Sequence, residues 1–146
     1  MKNVKVHFEL EILEQGFPPI SVETLNGLLN DDMTIQLDNT PFFVESVASG
    51  DILRCTKTTV EGIFEFQSVI KASGNKAISI IFIEDNYKGE LCNYLDENDC
   101  YYEFGEFYYF NMLAISVPQT SHYDEISRYL DSMEKRGGIS YSELCI

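Results

Sequence analysis

Val4, Val6, Phe8, Leu10 and Ile12 alternate with Lys5, His7, Glu9 and Glu11, so the chain opens on the period-two pattern of a strand with one face on a core. Gly16-Phe17-Pro18-Pro19 breaks the run. Ser21, Glu23 and Thr24 then precede Leu25, Leu28 and Leu29, a spacing that predicts a short amphipathic helix ended by Asn30-Asp31-Asp32. Thr34 to Leu37 predicts a brief strand. After the turn Asp38-Asn39-Thr40-Pro41, the run Phe42-Phe43-Val44 re-enters the core, and Ser49-Gly50-Asp51 turns the chain into a strand from Ile52 to Thr56.

Ile63 to Ala72 and Ala77 to Ile83 are β-rich, and Ser73-Gly74-Asn75 between them has the composition of a tight hairpin loop. This hairpin is the expected centre of the sheet. Tyr87, Leu91, Tyr94 and Leu95 follow helical spacing between Asp85 and Asp96, and a second hairpin runs from Cys100 to Phe104 and from Phe107 to Val117 around Gly105. Past Pro118, Ser121 is placed to cap a helix with Tyr123, Ile126, Tyr129, Leu130 and Met133 on one stripe. Gly137-Gly138 stop it, with Lys135 and Arg136 in the last turn. Ile139 to Ile146 supplies a small edge strand. The expected class is α+β, a single domain over residues 1–146. It has a mainly antiparallel sheet with two or three helices on one face, and a second half ordered strand, strand, helix, strand, strand, helix.

Charge changes the picture more than composition does. The 146 residues carry 24 Asp and Glu against 10 Lys and Arg, a formal net charge of -14, yet 45% of them are hydrophobic and 13% aromatic. That is too apolar for an acidic disordered tail, so the acid belongs on a folded surface. A field of this sign repels nucleic acid and anionic lipid and speeds encounter with basic protein surfaces. Met1 to Val6 lacks the apolar core and cleavage site of a signal peptide, and no apolar run reaches the roughly 20 residues of a membrane span, which points to a cytoplasmic address. Cys55, Cys92, Cys100 and Cys145 form no C-x-x-C pair and read as reduced, mostly buried thiols.

Catalytic and cofactor chemistry finds little support. Asp96, Glu97 and Asp99 place three carboxylates in four residues, but without the alternation and turn glycine of a calcium loop they read as a solvated helix end. His7 lies on the polar side of the first strand and His122 at the start of the last helix, each with a surface role as its default. Gly50, Gly62, Gly74, Gly89 and Gly105 are isolated turn glycines, which begin no phosphate loop. No metal and no cofactor is expected.

Acid and aromatics converge in one stretch. Glu84, Asp85, Glu90, Asp96, Glu97, Asp99, Glu103 and Glu106 face the single base Lys88, among Tyr101, Tyr102, Phe104, Phe107, Tyr108, Tyr109 and Phe110. A base-stacking platform would need Lys and Arg there instead. Alternation along a strand buries about half of such rings, so some Tyr should be exposed. Tyr is enriched at protein interfaces. The segment therefore predicts a surface for a basic protein partner, formed by these carboxylates with Tyr101, Tyr102, Tyr108 and Tyr109. A second reading is a ligand-binding or regulatory domain with an apolar pocket between sheet and helices, lined by Phe42, Phe43, Phe64 and Phe66. The oligomeric state is left open.

The ordered series Gly16-Phe17-Pro18-Pro19, Ser21-Val22-Glu23-Thr24-Leu25, Asn39-Thr40-Pro41-Phe42-Phe43, Ala48-Ser49-Gly50-Asp51-Ile52-Leu53, Ser73-Gly74 and Ala114-Ile115-Ser116-Val117-Pro118 resembles a bacterial domain-of-unknown-function family, number 4265, over nearly the whole chain. That resemblance implies no activity and assigns no catalytic residue. In type, a small acidic domain of this kind also resembles the immunity proteins encoded beside bacterial toxins. The expectation drawn from the charge and from this second resemblance is a non-enzymatic immunity protein that covers the active site of a basic toxin domain, such as a nuclease.

Overall fold

The computed structural model describes residues 1–146, apart from the side chain of Glu14. Among the described residues nine strands and two α-helices follow in the order β1 (Lys2–Glu9), β2 (Val22–Leu29), β3 (Ile35–Leu37), β4 (Ile52–Lys57), β5 (Ile63–Lys71), β6 (Lys76–Phe82), α1 (Lys88–Glu97), β7 (Tyr101–Phe107), β8 (Phe110–Val117), α2 (Tyr123–Lys135) and β9 (Ile139–Cys145). The first five strands close into a barrel, and the last four form a separate sheet ordered β7-β8-β6-β9.

The opening alternation holds. Val4, Val6 and Phe8 of β1 point into the barrel, where they meet Leu25, Ile35, Leu37, Leu53 and Phe64 in one apolar cluster. The helix expected after Ser21 is instead strand β2, antiparallel to β1 from Lys2 opposite Leu29 to Glu9 opposite Val22. Its inward positions are Glu23, Leu25 and Gly27. An inward carboxylate and an inward glycine disguise the period of two, while Leu25, Leu28 and Leu29 imitate helical spacing. Gly27 is required by contact: a Cβ there would lie 2.5 Å from the Ile35 side chain. The barrel closes through a parallel pairing of β1 with β5, in register from Lys5 opposite Ile63 to His7 opposite Glu65.

Ser73-Gly74-Asn75 is not a hairpin loop. β5 pairs with β4 and β1, whereas β6 pairs with β8 and β9, so this segment carries the chain from barrel to sheet. Tertiary contacts hold it: Ser73 N–H donates to Asp51 Oδ1 at 2.8 Å, and Ser73 Oγ and Asn75 Nδ2 both donate to the Ser49 carbonyl. Buried Asp51 also accepts the Ala48 N–H at 3.0 Å and so fixes both sides of the junction.

From β6 onward the chain runs strand, helix, strand, strand, helix, strand with the spatial order β9-β6-β8-β7, the ferredoxin-like arrangement. The helical spacing read for α1 and α2 and the terminal edge strand are present. The second hairpin turns at Tyr108-Tyr109, with Tyr108 at φ 57°, and not at Gly105. Gly105 lies inside β7 because the Phe42 ring rests on it; a Cβ would meet that ring at 2.7 Å. The position that caps α2 is His122, without a side-chain capping hydrogen bond among the described residues, so Ser121 does not cap it. The expected single sheet is thus two sheets, and the first half contributes a barrel rather than one more strand and a helix.

Candidate functional site

The predicted acidic and aromatic residues surround the outer strand β7. Glu84 and Asp85 follow β6, Glu90, Asp96 and Glu97 ride on α1, and Asp99 sits in the turn at φ 57° that leads into β7. Pairing with β8 sorts the rest: Tyr101 and Glu103 share the barrel-side face with Ser116 and Ala114, while Tyr102, Phe104 and Glu106 share the helix-side face with Ile115, Leu113 and Asn111. Tyr108 and Tyr109 form the hairpin tip. Tyr101, Tyr108 and Tyr109 are 75%, 79% and 98% exposed, and Tyr102 is half-buried. The exposed tyrosines therefore lie at the two ends of β7, about 20 Å apart by strand rise, with exposed Glu103 and Phe104 between them on opposite faces.

Several of these carboxylates are already engaged. Glu90 accepts from Arg136 at 2.6 Å and from the Tyr129 hydroxyl at 2.9 Å, contacts that hold its carboxyl below the usual range. Asp85 lies 3.6 Å from Lys88, and Glu103 accepts a long hydrogen bond from Asn39. Tyr102 is pushed up to about 12, first by its hydrogen bond to Asp96. Asp96, Glu97, Asp99 and Glu106 are exposed. Nor is the acid confined to this region: residues 1–75 carry 11 Asp and Glu against 5 Lys and Arg, and residues 76–146 carry 13 against 5.

Among the described residues no group of three His, Cys, Asp or Glu converges as a metal site. The four cysteines are free thiols. Burial pushes Cys55 and Cys100 up to about 11 and raises Cys92 and Cys145, which keeps all four protonated near neutral pH. His7 faces Glu65 at 3.8 Å on the barrel wall.

A second feature lies on a different face from the one where the sequence placed a pocket. Between the sheet and the barrel is a cleft of about 330 Å³. Its floor is the barrel-side face of the sheet, with Ser79 and Ile81 of β6, Met112 of β8, and Ser142 and Leu144 of β9. Its walls are the segment after β1, through Phe17 and Pro18, and the segment Phe42 to Glu45. The pocket expected between sheet and helices is therefore displaced to the opposite face. Phe42 and Phe43 line it, whereas Phe64 and Phe66 pack in the barrel.

A buried carboxylate shapes the second wall. Glu23 Oε2 accepts the Phe42 N–H at 2.6 Å, and Oε1 accepts those of Phe43 and Val44 at 3.1 and 2.9 Å. Burial pushes its carboxyl above the usual range, and the three amides pull partway back. Phe43 then meets Phe17 and Phe107 edge-on at 5.8 and 4.9 Å, and Phe17 meets Phe110 at 5.5 Å, so aromatic rings tie both walls to the β7-β8 hairpin. On the floor, Ser79 is 5% exposed and its Oγ has no hydrogen-bond partner among the described residues. An unpaired buried hydroxyl costs about 1–3 kcal/mol.

A family model described as a domain of unknown function (DUF4265) matches residues 23–141. No curated protein matches the chain. Among solved structures, a hypothetical protein from Neisseria gonorrhoeae is similar in fold, with a TM-score of 0.83 at 23% identity over 99% of this chain and 96% of that one. Among the described residues no helix is long and apolar enough to cross a membrane.

Proposed function

Because the chain belongs to the DUF4265 family, whose description carries no activity, we propose from its own surface that it is a non-catalytic binding protein for a cationic protein partner. In the form the sequence suggested, the partner is a basic toxin domain, such as a nuclease, whose active site the protein covers as an immunity protein would. The observation that carries this reading is the exposure of Tyr108 and Tyr109, 79% and 98%, at the tip of a strand whose other end begins at exposed Tyr101, just after Asp96, Glu97 and Asp99 in the chain. Large rings left in water offer contact area at low entropic loss on binding. Carboxylates at the far end steer a positive surface toward them. Two anchor points separated by the length of β7 suit a partner that lies along this edge.

The test is association with the proteins encoded by the adjacent genes, followed by surface plasmon resonance, with a basic protein expected to be the one that binds. Lys at positions 96, 97 and 99 (D96K, E97K and D99K together) should slow association at least tenfold and flatten its salt dependence. Tyr108→Ala with Tyr109→Ala should instead speed dissociation. Absence of a complex, or kinetics unchanged in both variants, rejects the proposal.

A further inference from the structure

The cleft between barrel and sheet has features of a built site. Its walls are held from behind, by Glu23 under the Phe42–Val44 segment and by the ring contacts of Phe17 and Phe43, so it is preformed. Its interior is apolar through Ile81, Met112 and Leu144, with one buried hydroxyl, Ser79 Oγ, that lacks a partner among the described residues. Three exposed carboxylates, Glu9, Glu11 and Glu45, stand among its lining residues, and among the described residues no Lys or Arg joins them. That sign repels fatty acids, phosphates and other anions. It attracts an amine.

We propose that this cleft binds a small organic amine with an apolar body and a hydroxyl at the far end. The body packs against Phe17 and Phe43 over Met112, the hydroxyl pairs with Ser79, and the ammonium rests at the rim that carries Glu9, Glu11 and Glu45. Each part of the ligand answers one part of the site, which makes the proposal separable by probe. It stands apart from the β7 surface, since the lining residues include none of the carboxylates or tyrosines assigned there.

Titration of the full chain by NMR with three probes of one shape tests it: tyramine, 2-phenylethylamine, which lacks the hydroxyl, and 3-(4-hydroxyphenyl)propionate, which reverses the charge. Tyramine should give saturable shifts at Ser79, Ile81 and Met112. 2-Phenylethylamine should bind about three- to tenfold more weakly, and the propionate at least about tenfold more weakly. Ser79→Ala should raise the thermal midpoint, because it removes an unpaired hydroxyl, and should erase the advantage of tyramine over 2-phenylethylamine. Ser142→Phe, at an exposed position of the edge strand, should block all three probes in a chain whose other resonances are unmoved. The proposal is overturned by absent shifts or by shifts spread over the acidic surface without saturation. Equal binding of the propionate, or a tyramine advantage that survives Ser79→Ala, overturns it too.

Discussion

The two faces of the second sheet are covered in different ways, and only one is filled. On the helix side Ile78, Ile80 and Phe82 of β6 and Leu113, Ile115 and Val117 of β8 pack under Leu91, Leu95, Ile126, Leu130 and Met133, all buried. On the barrel side the same strands offer Ala77, Ser79, Ile81, Met112 and Ala114, and their cover is irregular chain pinned from the barrel by Glu23 and Asp51. Amphipathic helices on short connections can shift until ridges meet grooves. Chain anchored elsewhere cannot settle in that way, so it leaves space.

The largest effect that probes this contrast is a pair of truncations. Leu130→Ala, in the filled face, should lower unfolding free energy in urea by about 3–4 kcal/mol, whereas Ile81→Ala, which borders existing space, should lose about 1 kcal/mol. Equal losses would mean that the two faces are packed alike. Next, Glu23→Ala should cost about 2–3 kcal/mol, the penalty of three stranded amides less the relief of unburying a carboxylate. Hydrogen exchange should accelerate at Phe42, Phe43 and Val44 while α2 stays protected; slow exchange at those amides would show that the wall does not depend on Glu23.

The smallest effect lies at the rim of the helix side, where Glu90 joins α1 to Arg136 and Tyr129. Its carboxyl is lowered in the folded protein, so the unfolded chain holds the proton more tightly. The stabilisation is therefore present above 4.5 and lost as pH falls through the lowered folded value. Because this pair is half exposed, Glu90→Gln should cost only about 0.5 kcal/mol at neutral pH. That difference from wild type should disappear in acid; a constant difference in chemical denaturation across pH would reject the linkage.

Elements whose partners are near in sequence or whose period is clean were legible: β1, α1, α2 and β9 follow their patterns. The misread ones owe their residues to distant contacts. Glu23 is inward because it collects amides from residues 42 to 44, Gly27 is inward because Ile35 leaves room only for hydrogen, and Gly105 sits mid-strand because Phe42 lies over it. Ser73-Gly74-Asn75 has turn chemistry that serves Ser49 and Asp51 instead of a hairpin. Composition located the carboxylates and rings around β7 and anticipated that some tyrosines would be exposed. It could not locate the cleft, whose lining comes from segments that no local pattern connects. Two of the phrases behind the family resemblance, Gly16-Phe17-Pro18-Pro19 and Asn39-Thr40-Pro41-Phe42-Phe43, supply its walls.

The parallel seam between β1 and β5 sets an order of assembly. Sealing the cylinder joins Lys5 to Ile63 and His7 to Glu65 across nearly sixty intervening residues, so the β1-β2 ribbon keeps one margin unsatisfied until the fifth strand has been synthesised. A nascent chain emerging from the ribosome thus carries an open, half-made cylinder through that interval, and its earliest strand is locked in place by the barrel's last.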